Sequence, residues 1–356
     1  MMRLRRSQRA SSVERGAWSA SAATLHALRS TLGLLVLVAC NARQSPVRDA
    51  YADTVATGAD SVVVGISSSE ASFVANLTGF QDPESVRYDA EQDVYFVSNM
   101  TGNGSDKDGN GYITRVAAES PYGAALFAVG GKDGVTLNAP KGMAIHGDTL
   151  WACDIDVLRG FDRHTGRPIA TVDFAPVHAV LLNDIAVGPD GHLRVSDTGI
   201  EMTLMGVIHT GPDRIFDVGP GGAITEVAND LRLRQPNGVT WDSSAGRWVT
   251  VSFDPFVGEV ATMPRTGATR QVIHSSVLGN FDGVEAMPGG AILYTSWKDS
   301  SVHVLRGRDD RQLVREVPEP ADIGVDTRRW RLAIPLSTLG RVQLWKLDAA
   351  VVGQRH

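Results

Sequence analysis

Four residues with oxygen-bearing side chains recur at matching places in short, similar segments of the chain. The segments are DPESV with Glu84, LLNDI with Asn183, QPNGV with Asn237 and NFDGV with Asp282. Two carboxylates and two side-chain amides suit a hard cation, since Ca²⁺ takes about 6–8 oxygen ligands in proteins. Four protein ligands would leave room for water and a substrate. The pattern therefore predicts a divalent-cation site, with Ca²⁺ as the favoured ion.

Two further segments of the same type carry other residues at the matching place, Lys141 in APKGM and Ala321 in EPADI. No His or Cys occupies any of the six places, which argues against a dedicated zinc or copper site. Taken singly, each of these residues has an ordinary explanation as a turn residue or a solvated charge. Lys141 has two open interpretations. Its ammonium group either extends to solvent or binds a substrate carboxylate or a developing oxyanion.

A second candidate cation site is the stretch SDKDGNGYI, where Asp106, Asp108 and Asn110 match the first ligands of an EF-hand loop. Position 12 of that loop would be Ala117, so the closing carboxylate is missing. The flanking segments VYFVSNM and YITRVA are typical of strands, not of the helices that flank an EF-hand. We therefore interpret this stretch as a loop between two strands and expect the cation at the other site.

A loose repeat supplies the elements that must position the four oxygens. It begins near residue 80 and recurs about every 40 to 57 residues. Each unit opens with a short apolar strand, such as DPESVRYD or QPNGVTWD, and continues through a turn into further strands. Repeats built from about four short strands are typical of β-propellers. Six openings predict an all-β fold, a six-bladed propeller over residues 71–350 whose first strands line a central channel.

The sixth unit has no clear fourth strand after its third, GRVQLWKL. An open sheet edge is a liability. The N-terminal segment ASFVANLTG, which begins at Ala71, is therefore predicted to supply the outer strand of the last blade and close the ring.

With these motifs the chain resembles the regucalcin/gluconolactonase family and, more distantly, the paraoxonases. The resemblance spans about residues 80 to 347 and rests on PESV, LNDIAVGPDG, PNGVTWD and FDGVEAM. It implies a six-bladed propeller with a central divalent metal that hydrolyses lactones or related esters. It further implies that Glu84, Asn183, Asn237 and Asp282 hold the metal and that Asp282 is also the base.

The chain departs from the sugar-lactone members of that family at Leu181, where they carry an Arg that contacts sugar hydroxyls. The departure favours a substrate other than a sugar lactone. Two functions remain open. In the first, a metal-dependent hydrolase, Asp282 accepts the proton of a water molecule and Lys141 stabilises negative charge on the opening ring. In the second, the propeller is a non-catalytic platform that binds a ligand or another protein.

Further candidate residues are placed by topology at the same end of the channel. Loops that lead into the first strands, and loops between second and third strands, lie on that face of a propeller. His178 is therefore expected near the channel mouth, although a packed or solvated histidine is the alternative. The apolar loop GIEMTLMGVIHTG, with Met202, Met205 and His209, is a candidate lid.

Residues 1–40 are interpreted as an export signal. The apolar run TLGLLVLVAC is too short to span a bilayer comfortably and follows several Arg residues, as in a secretory signal. Its end, LVAC, is similar to a bacterial lipobox. This predicts an exported protein with a lipid on Cys40, anchored at the periplasmic or cell-surface side of a bacterial membrane. An ordinary signal peptide with a nearby Cys is the alternative. Residues 41–70 are predicted to be a flexible tether.

The charge of the chain narrows the class of partner. A net charge of −6 over 356 residues lacks the basic character of a nucleic-acid-binding protein. The expected partners are a small-molecule lactone or ester and the membrane, and the sequence identifies no protein partner.

Overall fold

The computed structural model describes residues 65–203, 205–264 and 269–353. The predicted signal segment with Cys40, and residues 41–64 of the predicted tether, lie outside the described residues. The described part is almost entirely β-structure, and none of its helices is long and apolar enough to cross a membrane.

Six four-stranded antiparallel sheets confirm the predicted six-bladed propeller. The first strand of the described chain is β1 (Ala71–Thr78), which precedes blade 1. From the innermost strand outward, blade 1 contains β2 (Pro83–Asp89), β3 (Val94–Asn99), β4 (Tyr112–Ala117) and β5 (Ala124–Val129). In the same order, blade 2 contains β6 (Pro140–His146), β7 (Thr149–Asp154), β8 (Val157–Asp162) and β9 (Pro168–Asp173).

Blade 3 carries an additional hairpin between its second and third strands. The blade contains β10 (Leu182–Val187), β11 (Leu193–Asp197), β14 (Arg214–Val218) and β15 (Ile224–Asn229), and the hairpin contains β12 (Ile200–Thr203) and β13 (Gly206–His209). Blade 4 contains β16 (Pro236–Asp242), β17 (Arg247–Ser252), β18 (Gly258–Pro264) and β19 (Gln271–Ser276). Blade 5 contains β20 (Phe281–Ala286), β21 (Ile292–Ser296), β22 (Ser301–Arg306) and β23 (Asp309–Arg315).

Blade 6 is closed by the N-terminal strand, as the sequence predicts. Its inner strands are β24 (Gly324–Asp326), β25 (Arg331–Leu336) and β26 (Arg341–Leu347), and β1 pairs with β26 as the outer strand. This pairing joins the two ends of the repeat region, so β26 is not left as an exposed edge. A single helical turn, α1 (Ala349–Val352), follows β26 and buries Val351 and Val352.

The hydrophobic core is distributed among the seams between adjacent blades. Between blades 1 and 2, for example, Phe96 and Ile113 pack in one cluster with Met143 and Leu150. Strands near the channel contact a neighbouring blade on each face, and every residue of β3 is accordingly buried. This two-sided packing explains why the inner strands have apolar runs where a half-exposed sheet would alternate apolar with polar residues.

The innermost strands approach one another so closely that glycine is required at several positions. A Cβ atom on Gly238 would lie 2.5 Å from the carbonyl oxygen of Asp282 and 2.9 Å from the amide nitrogen of Val284. Both atoms belong to the backbone of β20, so β16 or β20 would have to shift.

We therefore expect Gly238→Ala to lower the free energy of unfolding by about 3 kcal/mol, the cost of overpacking a tight core. Gly123→Ala is the matched control, since a Cβ there would meet no atom within 4 Å. Denaturant unfolding of both variants measures the difference. Equal stability of the two would contradict the proposed close approach.

One buried histidine makes the stability of blade 5 depend on pH. Burial alone would lower the pKa of His303, but hydrogen bonds to Asp299 (2.9 Å) and Asp310 (3.0 Å) raise that pKa to about 9. The other groups around it are His274, whose pKa burial lowers, and Tyr294, which donates a hydrogen bond to Asp310.

Because the pKa of His303 is higher in the folded protein than the usual 6.5, its stabilising contribution is complete below pH 6.5. It should disappear as the pH rises towards 9. His303→Gln should therefore reduce the free energy of unfolding at pH 6 by about 1–3 kcal/mol and have a smaller effect at pH 9.5. Unfolding curves at the two pH values test this. A loss that is independent of pH would show that the imidazolium is not the stabilising species.

Candidate functional site

The six matching sequence positions occupy equivalent places at the start of the innermost strands. In blades 1 to 5 the pairing of first and second strands shifts by one residue directly after the first pair. The shift makes a β-bulge, a feature that re-aims side chains near functional sites. The bulges contain Glu84, Lys141, Asn183, Asn237 and Asp282. In blade 6, Ala321 similarly follows the isolated bridge between Pro320 and Leu336.

The four predicted oxygen ligands are buried, with exposed fractions of 2% to 6%. Among the described residues, no hydrogen-bond donor reaches one oxygen of each side chain: Glu84 Oε2, Asn183 Oδ1, Asn237 Oδ1 and Asp282 Oδ1. An unsatisfied buried oxygen costs about 1–3 kcal/mol, so four at one end of a channel require a physical reason. This donor set fits a hard cation, which takes carboxylate and amide oxygens together.

The residues at the six matching positions surround the channel mouth and are called the ring below. The two carboxyl groups of the ring, on Glu84 and Asp282, destabilise each other's charge. Burial raises the pKa of Glu84 well above its usual value, and the nearby carboxylate of Asp282 raises it further. Burial likewise raises the pKa of Asp282, with a further contribution from Asp322, while the indole of Trp297 opposes the rise. A positive charge placed between these groups would therefore be strongly favoured.

Acidic ligands alone would not make a metal site here. The described part of the chain contains no group of three or more His, Cys, Asp or Glu side chains placed to hold a metal ion. A site at the channel mouth would depend on the amide oxygens of Asn183 and Asn237 beside its two carboxylates.

Lys141 is completely buried, so its side chain does not extend to solvent. Its Nζ donates to the carbonyl oxygens of Gly104 (2.6 Å) and Ala139 (3.1 Å). Burial lowers the pKa of Lys141, and the carboxylates of Glu84 and Asp154 oppose this effect. Lys141 thus links the ring to the loop between β3 and β4, which contributes Gly104.

Two loops meet above the ring and cover it. The backbone N–H of Met202, in the blade 3 hairpin, donates to the hydroxyl of Ser105 in the β3–β4 loop (2.9 Å). Gly104 lies against the sulfur atoms of Met100 and Met202, so its lack of a side chain permits this contact. Below this contact is an apolar cluster, hereafter the mouth cluster, made of Ala139, Ile155, Leu181, Ile200 and Phe253 with Met100, Met202 and Trp297.

The residues predicted to line the substrate site fall into two groups, one packed against the mouth cluster and the other exposed to solvent. Met202 packs against the mouth cluster, whereas Met205 is 92% exposed at the hairpin tip. His209 is also exposed and pairs with Asp213 (2.7 Å). His178 is exposed in the loop before β10, where its backbone carbonyl accepts a hydrogen bond from Arg214.

The acidic stretch after β3 is a loop between two strands, as interpreted from the sequence, since β3 and β4 flank it. Asp106 accepts a hydrogen bond from Asn103, and Asp108 accepts hydrogen bonds from Asn110. Lys107 pairs with Asp156 (2.6 Å). The side chains of this loop therefore bond with each other and with blade 2.

Deeper in the channel lies an ionic network that the sequence reasoning missed. Arg87 of β2 pairs with Asp322 (3.0 Å), Glu285 (3.2 Å) and Asp184 (3.3 Å). Ser85 also donates a hydrogen bond to Asp322 (2.6 Å). A signal was present, because every residue that directly follows a ring position is either polar or glycine: Ser85, Gly142, Asp184, Gly238, Gly283 and Asp322.

Sequence comparison identifies no relatives: no protein-family model matches the chain, and no curated protein matches it. Solved structures do match. One, provisionally described as a gluconolactonase, has 17% identity and a TM-score of 0.57 over 78% of this chain and 92% of its own. A gluconolactonase from Xanthomonas campestris has 15% identity and a TM-score of 0.58, over 80% and 97%.

A third match is a catalytically inactive virginiamycin B lyase from Staphylococcus aureus, solved with quinupristin. It has 12% identity and a TM-score of 0.52, over 78% of this chain and 99% of that one. The likeness is one of fold. The expected resemblance to gluconolactonase propellers is confirmed at that level. Because these neighbours include a lyase, the reaction must be argued from the site.

Proposed function

We propose that the protein is a divalent-cation-dependent hydrolase of lactones or related esters. The observation that carries the proposal is the set of four buried oxygens, on Glu84, Asn183, Asn237 and Asp282, that no donor reaches among the described residues. They occupy equivalent bulges at one end of the channel. Ca²⁺ is the favoured ion because all four ligands are oxygens. The gluconolactonase folds among the structural neighbours support the same class of reaction.

The residues of the ring divide the chemical work. A bound divalent cation would polarise the carbonyl group of the substrate as a Lewis acid. Asp282, as a carboxylate of the ring, would accept a proton from the attacking water as a general base. Lys141 would offset the negative charge that develops on the substrate as the lactone opens. To do so, its Nζ would have to leave the carbonyl oxygen of Gly104.

The mouth cluster favours a substrate with an apolar body. A sugar lactone has several hydroxyl groups that need hydrogen-bond partners when buried, whereas the side chains here are those of Leu181, Ile155, Ile200 and Phe253. Leu181 is fully buried within the cluster. We therefore propose lactones or esters with hydrocarbon substituents.

An activity panel with a chelator control tests the hydrolase against the non-catalytic platform. Alkyl-substituted lactones, sugar lactones and aryl esters would be assayed with the protein as purified, after chelation, and after Ca²⁺ is returned. We expect turnover of the alkyl lactones that chelation abolishes and Ca²⁺ restores. Cation binding without turnover of any substrate would favour the platform instead. Turnover that is indifferent to chelation would refute the role of the cation.

We also propose that the protein is exported and carries a lipid on Cys40. The proposal is supported by the sequence LVAC at the end of a short apolar run. Cys40→Ser should prevent incorporation of labelled palmitate into the protein. Serine keeps the size of the side chain, so export itself should continue. A variant that still incorporates palmitate would contradict the proposal.

A further inference from the structure

Exposed apolar side chains are concentrated on the face of the propeller that contains the channel mouth. Eight of the eleven large apolar residues that are exposed in the described part of the chain lie in loops of this face. They are Met205, Val207, Ile208, Leu231, Phe256, Val277, Leu278 and Leu339. The other three lie along the sides, with Ile169 and Val272 on outer strands and Ile66 beside β23.

Seven of the eight belong to loops of blades 3 to 5 that are bonded to each other, hereafter the apolar arc. The hairpin of blade 3 is tied through His209 to Asp213, whose backbone carbonyl accepts from Asp230 in the next loop. That loop bonds to the one containing Phe256 through Phe253 N–H and the carbonyl of Gln235 (2.8 Å). A further bond from Asn280 to the Asp254 carbonyl (3.0 Å) connects the loop of Val277 and Leu278. The loops that carry the arc are therefore neighbours on one face of the propeller.

The polypeptide also reaches the propeller on this side. Gly65 lies against the side chain of Val317, and the backbone of Val317 bonds to Ser300 in a loop of the mouth face. Ile66 pairs with Arg315 at the mouth end of β23. From there the chain runs towards the opposite face, where Glu70 pairs with Arg306. The described chain therefore begins, at Gly65, on the mouth side of the propeller.

We propose that the mouth face docks on a lipid bilayer, with the apolar arc entering the interfacial region. Exposed apolar patches on soluble proteins mark contact surfaces, and a surface that inserts into a bilayer interface gains free energy in proportion to its buried apolar area. A lipid on Cys40 would keep the propeller close to the membrane, and the described chain begins at Gly65 on this same face. Docking would place the channel mouth against the bilayer, where apolar lactones and esters accumulate.

Fluorescent labels report directly which face meets the lipid. The full chain with Cys40→Ser would carry a label at Val277→Cys or, as the matched control, at Ile169→Cys. Cys153 is fully buried and would not react. With vesicles of phosphatidylcholine and phosphatidylglycerol that contain nitroxide-labelled lipid, we expect the label at 277 to be quenched several times more strongly. The label at 169 should remain close to its value without vesicles.

A partition measurement provides the second arm. Phe256→Ser combined with Val277→Ser should reduce binding to the same vesicles by about tenfold, whereas Ile169→Ser combined with Val272→Ser should not. All four positions are exposed, so melting temperatures should be unchanged. Equal quenching at 277 and 169, or vesicle binding through the N-terminal apolar run that leaves the label at 277 unquenched, would overturn the proposal. Burial of that label by self-association without vesicles would assign the arc to a second copy and overturn it as well.

Discussion

Replacement of Asp282 by Ala should abolish both the Ca²⁺-induced rise in melting temperature and any lactone hydrolysis. Asp282 supplies one of two carboxylates in the proposed cation site, and its Oδ1 has no donor among the described residues. A ligand that binds only the folded state at 100 times its Kd stabilises that state by about 2.7 kcal/mol. For a domain of this size we expect a rise of about 5 °C in the wild type.

Asp282→Asn separates the two proposed roles of this residue. The amide keeps one coordinating oxygen, so part of the Ca²⁺ response should remain. It cannot accept a proton, so turnover should fall by about a hundredfold or more. The matched control is Asp106→Ala with Asp108→Ala, which removes two carboxylates from the loop after β3 and should leave the Ca²⁺ response intact.

Thermal melts in Ca²⁺ and other divalent ions test whether the protein binds a cation and whether Asp282 is one of its ligands. If the wild type does not respond to millimolar concentrations, or if Asp282→Ala responds as the wild type does, the cation site is wrong. If the response disappears in the loop variant instead, the cation belongs to the β3–β4 loop. Any of these results would leave the binding platform as the better account of the protein.

The positions of the ring could be read from sequence because they are part of a repeat. Each of Glu84, Asn183, Asn237 and Asp282 follows directly after the first paired residue of its blade. Residues that are distant in sequence are therefore placed by the same local geometry six times. The closure of blade 6 by β1 was predictable for a similar reason, since a ring of sheets tolerates no open edge.

The positions of the loops that cover the ring could not be predicted from the repeat. The contact between Gly104 and Lys141 joins a 12-residue loop, 100–111, to a different blade. Nothing in the repeat specifies the path of such a loop. Met202 packs against the mouth cluster while Met205 in the same hairpin is solvent-exposed, and topology alone does not distinguish the two. Side-chain direction in an irregular loop depends on packing against partners that the local sequence does not name.

The network around Arg87 illustrates a different limit. Asp184 and Asp322 were visible in the repeat beside the ring positions, but their partner Arg87 lies three residues after Glu84, the ring residue of its own strand. From the sequence alone, an arginine within a strand is predicted to be exposed at the surface. Only the convergence of three carboxylates in the channel compensates the charge of this partly buried side chain.

Lys141→Met should raise the affinity of the ring for Ca²⁺ and lower turnover. The ammonium group is fully buried and close enough to Glu84 to affect its pKa. Two charges about 4 Å apart interact by about 4 kcal/mol at the effective dielectric of a protein. The ammonium group of Lys141 would repel a cation bound at the ring. Loss of this repulsion should therefore strengthen Ca²⁺ binding by about tenfold or more. If Lys141 also stabilises the negative charge on the opening lactone, turnover at saturating Ca²⁺ should fall by about a hundredfold.

These opposite changes distinguish a functional Lys141 from one that only packs the channel. Methionine preserves the length of the side chain, and the carbonyls of Gly104 and Ala139 lose a donor, so the melting temperature without cation should fall slightly. Lys107→Met is the control, because Lys107 is on the same loop as Gly104 but is half-exposed and paired with Asp156. Calorimetric titration with Ca²⁺ and initial rates at saturating Ca²⁺ measure the two effects. An unchanged affinity together with unchanged turnover would mean that Lys141 serves only to hold the β3–β4 loop over the channel.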